Sequence, residues 1–258
     1  MNKILKFVLC ILLIICFFAL SASAEASGTF SWYCKRNTEH RQPDIDSEMR
    51  FIENYNGYYV DKKCEPNNEK VIYLTFDVGY ENGNVEKVMN ILRDEKINGS
   101  FFILENFLIK NTDLVKRMVD EGDLVCNHTA SHKDTSQMSR EELKSELETM
   151  ERLFREKLGR EMPKYFRPPE GKFSLDSMKN ASELGYKTIF WSFAYADWDN
   201  DNQMSCEKAI EKIMSNTHNG AIMLFHPTST LQHHFRRRKV LLHIFGPTML
   251  QFFLSPLF

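Results

Sequence analysis

The chain of 258 residues contains no Ser-, Gly- or Pro-rich linker, no internal repeat and no low-complexity block. Nothing therefore divides it, and with 43% hydrophobic and 26% charged residues it can bury one sizeable core, so one domain is expected. An excess of positive charge is also missing. The formal net charge is −2 at pH 7, which gives no basis for nucleic acid or another polyanion as partner. The cysteines form no CxxC pair. Cys10 and Cys16 fall in the N-terminal apolar run, while Cys34, Cys64, Cys126 and Cys206 are widely spaced. That spacing makes neither a cysteine-type zinc site nor a dense disulfide framework. A Cys34 to Cys64 bridge stays open, because both residues flank the region ahead of the first core strand.

At the N-terminus, Lys3 and Lys6 precede an unbroken apolar run from Phe7 to Leu20, followed by Ala22-Ser23-Ala24. This reads as a secretory signal over residues 1–24 and predicts a secreted or extracytoplasmic mature protein. An uncleaved membrane tether is the alternative, although the run is short for a bilayer span. The leader carries two of the 33 Lys/Arg and none of the 35 Asp/Glu, so its removal makes the chain slightly more acidic. At the other end, residues 231–258 hold a basic cluster and an apolar run with neither helical nor strand period. Such a segment fits a hydrophobic interaction tail or a frameshifted gene end.

Between the ends, short β-rich runs alternate with helix-period segments, which predicts an α/β fold with parallel strands. The strands expected are Val71–Phe76, Ser100–Ile103, Asp123–Cys126, Tyr165–Arg167, Thr188–Ser192 and Ala221–Phe225. The clearest helix runs from Arg140 to about Leu158: Ser139 and Glu142 make a capping-box pair, and Leu143, Leu147, Met150, Phe154 and Leu158 form one apolar stripe. Further helices are expected over Asn84–Asp94 and over Thr112–Glu121, the latter closed by Gly122. Residues 25–70 are expected to wrap the barrel exterior, ahead of a catalytic region at 71–230.

Polar residues suited to catalysis fall at the ends of these strands, the rim where parallel barrels build active sites. His128 and His132, four apart in NHTASH after a strand, suit a divalent metal of the zinc type. Asp77, in TFDVGYENG, could serve as metal neighbour and general base, or simply cap the following turn. Arg167, in YFRPPEG, could hold the Asp77 carboxylate ionised, or make an ordinary surface ion pair. His226 follows an all-apolar strand expected to be central, and could protonate a leaving amine with Asp197 tuning it. A structural, hydrogen-bonded histidine is the competing reading.

In order along residues 71–230, TFDVGY, HTASH, RPPEG, the Asp197-Trp198 segment and GAIMLFHP resemble the polysaccharide deacetylases of carbohydrate esterase family four, the NodB-homology family. The resemblance implies a distorted (β/α)7 barrel, incomplete at the C-terminus if the atypical tail replaces the closing helix and strand. It implies a hydrolase in which a divalent metal, zinc by ligand type, polarises an acetyl carbonyl and activates water. Asp77 matches the base, Arg167 its partner, His226 the acid, Asp197 the group that tunes it, and His128 and His132 the metal ligands. Substrate contacts are implied at Tyr80, Glu81, Pro168, Glu170, Trp198 and Leu224, with the Glu170 backbone N–H as oxyanion donor. The upstream SWYCKRNTEHRQP and KVIYLTFDVGYENGN resemble the delta-lactam-biosynthetic de-N-acetylase subgroup, which acts on N-acetylmuramic acid of spore-cortex peptidoglycan. One departure stands out. Val78 occupies the position of the family's second, metal-binding Asp, which leaves the metal to be completed by water, Asp77 or a neighbour such as Glu81. A catalytically impaired glycan-binding relative and a chitin- or xylan-like deacetylase are the other readings.

Overall fold

The computed structural model describes residues 28–64, 71–199 and 201–227. The expected signal at 1–24 and the tail at 231–258 lie outside the described residues. The strands are β1 (Phe30–Ser31), β2 (Gly57–Tyr58), β3 (Ile72–Val78), β4 (Ser100–Ile103), β5 (Leu124–Asn127), β6 (Tyr165–Phe166), β7 (Lys172–Phe173), β8 (Lys187–Ile189) and β9 (Ala221–Phe225). Seven of them form one curled sheet in the order β2-β8-β6-β5-β4-β3-β9, and every neighbouring pair in it is parallel. The helices are α1 (Val85–Glu95), α2 (Glu105–Lys110), α3 (Thr112–Glu121), α4 (Arg140–Leu158), α5 (Leu175–Glu183) and α6 (Cys206–Asn216). The α/β barrel-type fold expected from the sequence is the fold observed.

Local chemistry explains the element ends. The α4 helix begins with the capping box read from sequence, the Ser139 side chain accepting from Glu142 N–H while the Glu142 carboxylate accepts from Ser139 N–H. It stops at Gly159, which takes the left-handed conformation (φ 68°). Its Leu143, Leu147, Met150, Leu153 and Phe154 are buried. The α3 helix ends the same way at Gly122 (φ 93°).

Two expectations are corrected. Residues 25–70 were expected to lie outside the barrel, but Gly57 and Tyr58 enter the sheet as β2, pairing with Thr188 and Ile189. Strand β9 was expected to be central, yet it comes last in the ladder. Its faces are buried because Ala221, Met223 and Phe225 pack in the main core on one side and Ile222 in a second apolar cluster on the other, while the chain after β8 pairs with its outer edge: Ser192 N–H donates to Ile222 O (2.9 Å) and Leu224 N–H to Phe193 O (2.9 Å). The same pairing cuts β8 short of the expected Thr188–Ser192 span. Among the described residues, the outer edge of β9 is therefore not left bare, and Asp61 N–H adds a bond to Gly220 O (2.8 Å). The Cys34 to Cys64 bridge is not made, since the Cys34 thiol donates instead to Ser192 O (3.1 Å).

Asp123, at the entry to β5, accepts the Gly99 N–H (2.8 Å) and is only 8% exposed. Burial, helped by the charge of Glu121 and opposed by the Gly99 bond and Arg117, pushes its pKa up to about 7. The unfolded carboxyl titrates near 4. The folded state thus holds a proton through a range where the unfolded state does not, so this contribution to stability is full below about 4 and is lost as pH rises through about 7. Asp123→Asn keeps the acceptor for Gly99 and removes the titration. Its melting temperature should rise relative to the native protein at pH 8 and gain little at pH 4, and an equal change at both would contradict this assignment.

Candidate active site

Strand β3 alternates its side chains so that Thr75 and Asp77 share one face, and both meet Arg167. Arg167 is fully buried. Its Nη1 donates to Asp77 Oδ1 (2.8 Å), its Nη2 to Thr75 Oγ1 (2.9 Å) and Phe190 O (3.3 Å), and its Nε to Ile189 O (2.9 Å). The guanidinium also lies 4.1 Å from the centre of the Phe102 ring. Each nitrogen of the cation donates at least one hydrogen bond, and its one anionic partner among these contacts is Asp77. Burial opposes ionisation of Asp77, but the charges of Arg167, His128 and His226 and the Arg167 hydrogen bond outweigh it and hold the carboxyl below the usual range. Arg167 is the permanent cation among them.

His128 follows β5 at the next position. Its Nδ1–H donates to Arg167 O (2.9 Å), which leaves the Nε2 lone pair outward, 3.6 Å from Asp77 Oδ2. Burial, with His132 and Arg167 adding to it against the pull of Asp77, lowers its pKa to about 4, so the imidazole is neutral at ordinary pH. The His132 ring stands 5.1 Å from it, centre to centre. The loop between them is held in an unusual backbone: Thr129 (φ 72°) and His132 (φ 57°) are both left-handed without being glycine. Such conformations cost on the order of 1–3 kcal/mol each and persist where surrounding contacts fix them.

Across the site, Asp197 is fully buried and grips His226 twice, accepting its backbone N–H at Oδ2 (2.8 Å) and its Nδ1–H at Oδ1 (2.7 Å). Both contacts with Asp197 engage the Nδ1 side of the imidazole and the backbone of His226. Burial lowers the pKa of this histidine, but the Asp197 hydrogen bond and charge, with Asp77, overcome it, and the net displacement is upward.

Asp77, His128, His132 and His226 line one cavity of ≈ 900 Å³. Tyr80 and Trp198, 49% and 62% exposed, put large aromatic faces at its wall, and Glu170, left-handed at φ 55°, and Leu224 also line it. Arg167 and Asp197 stand behind the lining, each bonded to a residue within it. Pro168 is buried and sets up the turn to Glu170 instead of facing the cavity. Glu81 is corrected: it does not line the cavity, because its carboxylate accepts the N–H groups of Gly83 and Glu86 and so caps the start of α1. It is thereby committed elsewhere and is a poor candidate to complete a metal site. Val78 lines the cavity but packs in the main core.

Sequence reading missed Trp191 and Tyr195, which wall the cavity, and Thr75. The signal for Thr75 was available, since a polar residue two before Asp77 shares its face. No comparable signal marks the aromatic residues.

The donor set fits a zinc-type ion in kind: two imidazoles, one with its tautomer fixed by a backbone carbonyl, beside an ionised carboxylate. Among the described residues no group of three or more His, Cys, Asp or Glu is arranged to hold a metal.

Comparison with known proteins gives a concordant picture. The family model for polysaccharide deacetylase matches residues 65–189. The peptidoglycan-N-acetylmuramic acid deacetylase PdaA of Bacillus subtilis is 35% identical over 212 residues, which is 82% of this chain and 79% of that protein. The solved structure of B. subtilis PdaA, a family 4 carbohydrate esterase, superposes with a TM-score of 0.77 at 32% identity, covering 84% of this chain and 91% of that one. A family 4 carbohydrate esterase from Bacillus anthracis gives a TM-score of 0.67 at 29% identity, covering 84% and 89%.

Proposed function

Since the chain belongs to the polysaccharide deacetylase family, we propose that it removes N-acetyl groups from peptidoglycan, and specifically from N-acetylmuramic acid, in the formation of muramic delta-lactam in the spore cortex. The observation that carries the reading is the facing of two polar pairs across one cavity, Arg167 with Asp77 and Asp197 with His226. A carboxylate whose pKa is held down and a histidine whose pKa is raised suit the two tasks of amide hydrolysis, one taking a proton from water and one giving a proton to the departing nitrogen.

In this reading Asp77 accepts the proton of the attacking water, and Arg167 keeps the carboxylate charged and aimed. His226 delivers a proton from Nε2 to the amine as the C–N bond breaks. The Glu170 backbone N–H stabilises the negative charge that develops on the acetyl oxygen. Tyr80 and Trp198 offer flat surfaces to sugar rings, and Leu224 and Trp191 keep the acetyl methyl in apolar surroundings. His128 and His132 would hold a divalent ion, zinc by ligand type, which when bound polarises the acetyl carbonyl and makes water more acidic. Among the described residues no helix is long and apolar enough to cross a membrane. The leader read from sequence supports action outside the cytoplasm, at the cell wall, with a membrane tether if it is retained.

Acetate release from purified peptidoglycan, with mass spectrometry of the products, tests the reading. Deacetylated muramic acid or its lactam is expected. Deacetylated glucosamine alone, or activity only on chitin-like or xylan-like chains, would move the substrate. No acetate from a protein that still binds glycan would leave an impaired relative. Zinc content should fall together with activity in His128→Ala and His132→Ala, and a chelator should abolish release until zinc is restored. Native zinc content in both variants would place the metal elsewhere.

A further inference from the structure

The α4 helix packs beside the 127–132 loop and bonds to it on both sides of His128. Ser131, next to His132, donates its N–H to Glu146 Oε2 (2.8 Å) and its hydroxyl to Glu146 Oε1 (2.6 Å). Asn127, next to His128, is fully buried and donates from Nδ2 to Leu147 O (3.1 Å) and to the Tyr186 hydroxyl (2.9 Å). The Tyr186 hydroxyl in turn donates to Glu151 Oε1 (2.5 Å), and Lys164 pairs with the same carboxylate. Asn127 Oδ1 then accepts the Thr129 N–H (2.9 Å). Glu146, Leu147 and Glu151 lie within about a turn of one another on the helix, so a single rigid element grips the loop at positions 127 and 131.

We propose that Glu146 and the linked pair Tyr186 and Glu151 are positioning residues for the two histidines, holding their imidazoles in ligating pose before an ion arrives. The proposal rests on the reading of His128 and His132 as metal ligands. Its physical need is the strained loop: Thr129 and His132 are both left-handed, and a free loop of this sequence would relax away from that shape. The Asn127 bonds are buried and the Ser131 bonds to Glu146 lie at the surface, and contacts on both sides of the loop are what over-determine such a backbone. Outer groups of this kind orient metal ligands without touching the ion.

The test is zinc affinity of the purified full chain, measured by competition with a chelating dye, for the native protein, Glu146→Ala, Glu146→Gln and Tyr186→Phe. Arg152→Ala serves as a control on the same helix, because its pairing with Glu156 is exposed and away from the loop. Glu146→Ala and Tyr186→Phe should each weaken zinc binding about tenfold or more. Glu146→Gln, whose amide oxygen can still accept from Ser131, should recover part of the loss, and Arg152→Ala should match the native protein. Tyr186→Phe removes one oxygen and keeps the ring, so it decides the question if Glu146→Ala fails to fold. Zinc affinity within twofold of native in Tyr186→Phe overturns the proposal alone. A native protein that binds no zinc overturns it together with the metal reading.

Discussion

Asp77→Asn should lower deacetylation by about 10²- to 10⁴-fold, the usual range for loss of a general base. The amide keeps the shape of the carboxylate and can still accept one bond from Arg167, but it cannot take a proton from water. It also leaves Arg167 fully buried among neutral carbonyl and hydroxyl partners. Removing one partner of a buried pair costs on the order of 3–5 kcal/mol, so the variant should also melt earlier than the native protein. The two readouts separate the roles. Turnover near the native level would remove Asp77 as base, and an unchanged melting temperature would mean that Arg167 does not depend on it.

Asp197→Asn should act through His226, and its signature is a displaced pH profile. The histidine pKa is raised because the Asp197 hydrogen bond and charge, with Asp77, overcome the opposing effect of burial. In the proposed mechanism the proton donor therefore survives to higher pH than an ordinary histidine would allow. With Asn the support is lost, and the alkaline limb of kcat/KM should move to lower pH, with activity falling about 10²- to 10⁴-fold where the native enzyme is still protonated. Stability follows the same sign. A raised histidine pKa contributes stability that is full below the unfolded value near 6.5 and is lost as pH rises through the folded value, so the variant should lose most at low pH. An alkaline limb that stays in place would assign it to another group.

Most of the scaffold was legible because its signals are local. Ser100–Ile103, Ala221–Phe225 and Thr112–Glu121 have the bounds read from sequence, and α4 begins and ends as its capping residues dictate. Strand β2 was missed because two residues, Gly57 and Tyr58, carry no alternation, and their pairing depends on Thr188 and Ile189 far along the chain. The position of β9 was misjudged because an all-apolar run reports burial on both faces without saying what covers them. At the site, charged residues at strand ends could be picked out, and the cavity gathers Asp77, His128, His132 and His226. Glu81 looked equally suited, but its neighbours Gly83 and Glu86 claim it through backbone N–H groups that sequence does not display. Trp191 and Tyr195 were indistinguishable from core aromatics until the sheet curled around them.

The ladder between β3 and β9 has a consequence for how this enzyme fails. Phe76 is the partner of Phe225, and the next residues along are Asp77 and His226. Asp77 thus lies on, and His226 directly follows, adjacent strands of a parallel pair, a spacing of about 4.8 Å set by backbone hydrogen bonds. A slip of β9 by one residue would turn His226 to the opposite face. Amide protons along these strands should exchange with solvent at the slowest rate in the molecule, and activity on warming should persist until they do. Gradual thermal inactivation well below global melting would then trace to the histidine loop, leaving the pair of strands intact.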